Sequence, residues 1–128
     1  MRVLVIGAGN MGLTYAEGMS KSKLLKRKNI MVLDTCTEKL QSLAKVAHFD
    51  TYNELNECVP QADIIFIAVK PYHSEELLGK LSSLVKPGQI IISIMAGVTI
   101  EAIQQLSGLD KVVRAMPNLP AKIGKGLT

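Results

Sequence analysis

VLVIGAGNMG, residues 3–12, joins an apolar run to a G-x-G-x-x-G segment near the start of the chain. The run has the composition of a strand buried on both faces, and the residues after Gly12 are compatible with a helix. Glycines at a strand-to-helix junction permit a tight turn and let main-chain N–H groups approach a pyrophosphate at the helix N-terminus. Asp34 follows about 20 residues further on, where an acidic residue is expected to meet an adenosine ribose. The stretch therefore predicts a dinucleotide-binding turn rather than a purely structural one.

Strand-like and helix-like segments alternate along the whole sequence. This alternation predicts an α/β fold: a Rossmann-like, doubly wound parallel sheet with helices on both faces. We expect six strands, at 2–6, 30–34, 46–49, 63–69, 89–95 and 111–116, and five helices, at 11–23, 37–45, 53–59, 73–84 and 99–106. The chain has 128 residues, the size of one domain. Residues 1–128 are therefore predicted to form a single NAD(P)-binding domain.

Composition argues against several other classes of protein. The longest apolar stretches, 64–69 and 90–98, fall well short of the ~20 residues of a transmembrane helix. The first residues carry no signal-peptide pattern, so we expect a cytoplasmic protein. Cys36 and Cys58 lack C-x-x-C spacing and a supporting cluster, so no metal site is predicted. The net charge of +4 comes largely from residues 21–28, where no aromatic side chains interleave the cations, so nucleic acid is not an expected partner.

Ligands of a doubly wound sheet bind outside the carboxyl ends of the strands, at the switch point between the first and fourth strands. The residues predicted for cofactor binding at this edge are Gly7, Gly9, Asn10, Met11, Gly12, Asp34, Thr35, Cys36, Asn53, Ala68, Val69, Lys70, Pro71 and Ala96, with Asn118 towards the substrate. The Asp34 carboxylate can accept hydrogen bonds from a ribose and would repel a 2′-phosphate, so NADH is favoured over NADPH. The alternative for Asp34 is a cap or turn carboxylate before the second helix.

Three further segments are more specific than the glycine turn: AVKP at 68–71, SIMAGVT at 93–99 and RAMPNLP at 114–120. With them, the whole chain resembles the N-terminal half of pyrroline-5-carboxylate reductase. The resemblance implies reduction of the C=N bond of 1-pyrroline-5-carboxylate to L-proline with NAD(P)H, the last step of proline biosynthesis. It also implies a Rossmann domain followed by a helical domain that dimerises and supplies much of the substrate pocket, and that second domain is absent from these 128 residues.

The same resemblance implies roles for the predicted site residues. Asn10, Met11 and Gly12 would contact the pyrophosphate, Asn53 the adenosine side, residues 68–71 the nicotinamide ribose, Ala96 the nicotinamide and Asn118 the substrate end. Asp34 stands where the family often has a small hydroxyl or polar residue, which leaves NADP preference open. Lys70 could bond the cofactor ribose or simply lie in solvent at the end of a strand. A protonated imine already accepts hydride, so no catalytic acid is nominated.

Three functions stay open at this point. The first is the cofactor-binding part of a proline-forming reductase, poorly active alone. The second is a non-catalytic NAD(P)-binding paralogue or sensor module, and the third is another NAD(P)-dependent dehydrogenase of small substrates. A small-molecule substrate is expected, with no membrane partner. We expect a homo-oligomer for the complete enzyme and weak self-association for this chain, through the apolar surface that a second domain would cover.

Overall fold

The computed structural model describes residues 2–7, 16–18, 29–34, 50–69, 73–95 and 97–115. Its strands are β1 (Val3–Ile6), β2 (Ile30–Leu33), β3 (Asp50–Tyr52), β4 (Ile64–Ile67), β5 (Ile90–Ser93) and β6 (Val112–Arg114). Its helices are α1 (Leu55–Cys58), α2 (Ser74–Ser82) and α3 (Ile100–Ser107), with a 3-10 turn at Val59–Gln61 directly after α1. Residues 16–18 are also helical and lie within the first predicted helix.

All six strands are parallel and lie in the order β3-β2-β1-β4-β5-β6. The chain runs outward from β1 to β3 on one side, then crosses to β4 and runs outward to β6 on the other. Val3 is level with both Ile30 of β2 and Ile64 of β4, so the three central strands end side by side. The order confirms the predicted doubly wound sheet, and it places the switch point between β1 and β4.

Each central strand is buried on both faces, which explains the unbroken apolar run at residues 3–6. Leu4 and Ile6 point to the face covered by α2 and α3, where Leu78 and Ile103 join the same buried cluster. Val3 and Val5 point to the opposite face and pack in a cluster with Ala16 of the helical segment. Alternate residues of one strand therefore supply two cores, as a parallel sheet between helical layers requires.

Two residues mark the ends of helix α3 as the sequence indicates. Thr99 precedes α3, and its side chain accepts a hydrogen bond of 3.1 Å from the Ala102 N–H, which confirms the predicted helix start. Gly108 ends α3 in the left-handed conformation, with φ at 81°. On α2, buried Leu78 and Leu81 face the sheet. None of the helices that the structure describes is long and apolar enough to cross a membrane.

Two predicted elements need correction. The third strand was expected at 46–49, a range outside the described residues, but the strand that pairs with β2 is β3, Asp50–Tyr52. Helix α1 was expected to begin at Asn53, which instead lies exposed in the bend after β3. The helix ends at Cys58 because Pro60 has no N–H to continue the α-helical bonding, and the chain tightens into the 3-10 turn. The predicted helix at 37–45 lies outside the described residues.

Candidate functional site

The carboxyl ends of β1, β2 and β4 meet at the switch point, and main-chain hydrogen bonds continue one residue past them. The Gly7 N–H donates to the Leu33 carbonyl over 2.8 Å, and the Ala68 N–H donates to the Ile6 carbonyl over 2.9 Å. These bonds extend both ladders, so Gly7 and Ala68 lie beside each other where the two chains leave the sheet. The first glycine of the G-x-G-x-x-G segment is therefore at the predicted place.

Gly7 occupies a position that strongly favours glycine. Its φ is +107°, a conformation that L side chains rarely adopt. A Cβ built on Gly7 would lie 2.9 Å from the Ala68 carbonyl oxygen and 3.3 Å from Cγ1 of Val69. The bare glycine backbone thus allows the chain after β1 to pass close to the end of β4. In a dinucleotide-binding turn, the first glycine of the segment permits such a tight turn at the end of the first strand.

Asp34 lies directly after β2, as predicted, and is half-buried. Its main-chain N–H donates to the Tyr52 carbonyl at the end of β3 over 3.2 Å. Asn53 follows Tyr52 and is exposed. The two residues predicted for the adenosine side are therefore brought to the same corner of the sheet, at the carboxyl ends of β2 and β3. Their roles in binding stay predictions.

Ser93 ends β5 on the other side of the switch point. Its buried hydroxyl accepts from the Met95 N–H over 3.2 Å, and its carbonyl accepts from the Ala115 N–H over 2.8 Å. Gly97 follows in the left-handed region, with φ at 74°. The two hydrogen bonds fix the chain at the carboxyl end of β5, as far as Met95.

The structure brings five of the predicted site residues to this edge: Gly7, Asp34, Asn53, Ala68 and Val69. The others lie outside the described residues, namely Gly9, Asn10, Met11, Gly12, Thr35, Cys36, Lys70, Pro71, Ala96 and Asn118. The described third of the site combines main chain and small side chains, at Gly7, Ala68 and Val69, with the polar residues Asp34 and Asn53.

Tyr52 contributes to this edge, and sequence reasoning missed it. Its carbonyl holds Asp34, and its hydroxyl donates to Oδ2 of Asp50 over 2.7 Å. The hydrogen bond to Asp50 is the main reason that the pKa of Tyr52 is raised above its usual value, with burial as the second cause. The sequence signal for a strand here was the pair Thr51 and Tyr52 directly before Asn53, because Thr and Tyr favour strands.

The described residues of this edge offer main-chain groups and one carboxylate to a ligand. Among the described residues, no group of three or more His, Cys, Asp or Glu side chains is arranged to hold a metal ion. Gly7 and Ala68 offer close access to the backbone, and Asp34 offers a carboxylate at the corner of β2 and β3. This arrangement fits the turn, the ribose and the adenosine side of a dinucleotide.

Residues 2–97 match the family described as "NADP oxidoreductase coenzyme F420-dependent". A pyrroline-5-carboxylate reductase of Aquifex aeolicus is 39% identical over 128 residues, which are 99% of this chain and 46% of that protein. This match bears out the resemblance seen in the sequence. The chain spans about half the length of the curated relatives that it matches.

Solved structures agree with these matches. A pyrroline-5-carboxylate reductase of Coxiella burnetii has a TM-score of 0.87 and 27% identity, covering 95% of this chain and 46% of that one. The pyrroline carboxylate reductase of Plasmodium falciparum, solved with NADP bound, has a TM-score of 0.83, covers 98% of this chain and 45% of that one, and shares the fold at 24% identity.

Proposed function

The chain belongs to the family of NADP oxidoreductases described as coenzyme F420-dependent, and we propose that it is the cofactor-binding part of a pyrroline-5-carboxylate reductase. The proposed reaction transfers hydride from NAD(P)H to the C=N bond of 1-pyrroline-5-carboxylate and yields L-proline. The Aquifex aeolicus relative supports the substrate class. The geometry of the carboxyl edge supports the cofactor class.

The observation that carries the proposal is Gly7. A glycine at positive φ, whose absent Cβ leaves room for the Ala68 carbonyl, lies at the switch point where sheets of this strand order bind dinucleotides. When bound, NAD(P)H would supply the hydride, and the residues of this chain would hold and orient it. We assign the pyrophosphate to Asn10, Met11 and Gly12, the adenosine side to Asn53, the nicotinamide ribose to residues 68–71, the nicotinamide to Ala96 and the substrate end to Asn118.

For this chain we propose that NADH binds more tightly than NADPH, although the family is described by NADP. Asp34 places a half-buried carboxylate at the end of β2, where the adenosine ribose lies in this fold. A 2′-phosphate there would meet a like charge. The repulsion amounts to about 1 to 4 kcal/mol per pair of unit charges at 4 Å, depending on the local dielectric.

Titration of the purified chain with NADH and NADPH, followed by nicotinamide fluorescence, tests both parts of the proposal. We expect saturable binding of both cofactors, with NADH tighter by about tenfold or more. Tighter binding of NADPH would contradict the role of Asp34 but leave the cofactor site intact. Binding of neither would contradict the proposed function itself.

The chain matches 46% of the Aquifex aeolicus relative, and we propose that turnover also requires residues corresponding to the remainder of that protein. We propose that the complete enzyme is a homo-oligomer and that this chain alone binds cofactor, turns over poorly and self-associates weakly. A chimera that joins this chain to the remainder of that relative should reduce 1-pyrroline-5-carboxylate. A chimera that binds cofactor without turnover would instead favour a non-catalytic binding module. Light scattering over a concentration series checks self-association, and a strict monomer at high concentration would contradict it.

A further inference from the structure

Strand β3 is a short strand at the edge of the described sheet. It has three residues, all half-buried, and among the described strands it pairs with β2 alone. Its carboxyl end nevertheless carries the corner assigned to the adenosine side, since the Tyr52 carbonyl accepts from the Asp34 N–H over 3.2 Å and Asn53 follows directly. Short edge strands open locally more easily than central ones. Side-chain contacts to β3 would therefore add to the ladder in holding this corner in place.

Side chains at the start of the strands provide that restraint. Arg2 precedes β1, and its guanidinium reaches across β2 to Asp50, with Nη2 at 3.2 Å from Oδ2. The same Oδ2 accepts the Tyr52 hydroxyl over 2.7 Å. The Arg2 guanidinium also donates to Gln61, so it is tied to the 3-10 turn as well as to β3. Two donors from different strands thus converge on one carboxylate oxygen.

We propose that Arg2, Asp50 and Tyr52 form a positioning relay that sets the affinity of the chain for the adenosine half of its dinucleotide. The inference rests on the proposed function. The relay touches no cofactor. It acts through the backbone, because a tyrosine ring whose hydroxyl is held at Asp50 restrains the direction of the Tyr52 carbonyl, and that carbonyl holds the main chain of Asp34.

The carboxylate of Asp50 is the central member of the relay. The side chains of Arg2 and Asp50 are 30% and 44% exposed, so solvent screens their ion pair. The phenol hydrogen bond is charge-assisted and shorter than the ion-pair contact, and such bonds are stronger than those between neutral groups. Loss of the hydroxyl should therefore loosen the corner without removing the packing of the Tyr52 ring on the core, which the ring of phenylalanine retains.

Two variants and one control test the relay. Tyr52→Phe removes the hydroxyl, and Arg2→Met removes the cation while keeping most of the stem. Lys80→Met removes the Lys80 to Glu76 ion pair on the exposed side of α2, away from β3. The probes are ADP-ribose and reduced nicotinamide mononucleotide, which represent the two halves of the cofactor. We expect about three- to tenfold weaker binding of ADP-ribose in both relay variants, the equivalent of one net hydrogen bond, with the mononucleotide and the control within about twofold of wild type.

Hydrogen exchange in the cofactor-free chain gives a second readout. In Tyr52→Phe, the amides of residues 30–34 and 50–53 should exchange about three- to tenfold faster, while those of β4 and β5 keep their wild-type rates. Unchanged exchange and unchanged ADP-ribose affinity in Tyr52→Phe would overturn the relay alone. Equal weakening of both fragments would also overturn it, because the effect would then be general destabilisation. A wild-type chain that binds neither fragment would instead contradict the proposed function.

Discussion

Different kinds of hydrogen bond hold the chain together at the two edges of the parallel sheet. At the carboxyl edge, main chain bonds to main chain: Gly7 to Leu33 over 2.8 Å and Ala68 to Ile6 over 2.9 Å. These bonds use few side-chain groups. The backbone therefore fixes the described ends of β1, β2 and β4 relative to one another.

At the amino edge, the buried side chain of Gln89 and the exposed side chain of Asp63 add to the backbone bonds. The Gln89 amide donates to the carbonyls of Val59 and Ala62, both over 2.8 Å, and its carbonyl accepts from the Lys86 N–H over 2.8 Å. Asp63 accepts from the Arg2 N–H over 2.7 Å. This edge uses polar side chains to stabilise the fold. Apart from the relay at β3, we expect stability and cofactor binding to respond to changes at opposite ends of the sheet.

Gly7→Ala should have the largest effect on binding. An alanine at φ +107° is strained by about 1 to 2 kcal/mol, and its Cβ would press on the Ala68 carbonyl. We expect NADH affinity to fall by about tenfold to a hundredfold and the free energy of unfolding by about 2 to 4 kcal/mol. Urea denaturation and NADH titration measure the two quantities.

Gly79→Ala is the matched control. Gly79 lies in α2, and a Cβ there would meet nothing within 4 Å. The same substitution should therefore stabilise the chain by about 0.5 to 1 kcal/mol through helix propensity and leave NADH affinity unchanged. Wild-type NADH affinity in Gly7→Ala would contradict the role given to the carboxyl edge.

Gln89→Met should give a comparable loss of stability without a loss of binding. The side chain is 5% exposed, and its replacement leaves buried carbonyls without their donor. We expect the free energy of unfolding to fall by about 2 to 4 kcal/mol, while NADH affinity of the folded fraction stays within about twofold. A large drop in the NADH affinity of fully folded Gln89→Met protein would contradict the expectation that the amino edge governs stability and the carboxyl edge governs binding.

Asp34→Ser should change cofactor preference. Removal of the carboxylate at the end of β2 relieves repulsion of a 2′-phosphate, so the ratio of NADPH to NADH affinity should rise by about tenfold. Asp63→Asn removes one negative charge at the amino edge and serves as the control, with the ratio expected to stay at its wild-type value. An equal rise in both variants would indicate a general charge effect instead of a local one.

The smallest expected effect is the pH dependence of the stability that Cys58 contributes, which we expect only at alkaline pH. Burial is the main cause that raises the pKa of its thiol from 9.0 to about 11. The stabilisation from the neutral thiol is therefore complete below pH 9 and is lost as pH rises through about 11. The difference in thermal midpoint between wild type and Cys58→Ala should narrow over this pH range. A constant difference would contradict the account of the buried thiol.

Five of the six strands lie inside the ranges predicted from the sequence, because each has an apolar run that leaves little ambiguity, and in the central strands that run is buried on both faces. Each strand is shorter than predicted at its ends, where charged or polar residues such as Arg2 and Gln89 take part in side-chain bonds instead. Strand β3 was misplaced because it begins with Asp50, a residue that disfavours strands. Its pairing with β2 and its bonds to Arg2 and Tyr52 outweigh that preference.

For the described part of the candidate site, the sequence predicted which residues lie at the carboxyl edge, and their roles in binding stay predictions. The G-x-G-x-x-G pattern indicated Gly7, and the acidic residue after the second predicted strand indicated Asp34. Both positions follow from the order of strands and turns in a doubly wound sheet. Hydrogen bonds between residues far apart in the sequence, such as the one from Asp34 to Tyr52, left no local pattern. The relay joins residues 2, 50 and 52, and only tertiary structure brings them together.

An NMR titration of the isotope-labelled chain with NADH tests the central claim most directly. If the carboxyl edge is the cofactor site, the amide signals of Gly7, Asp34 and Ala68 should shift in a saturable way, while those of Asp63 and Gln89 at the amino edge stay in place. Shifts centred on the amino edge, or no saturable shift at Gly7 in a folded chain, would contradict the account.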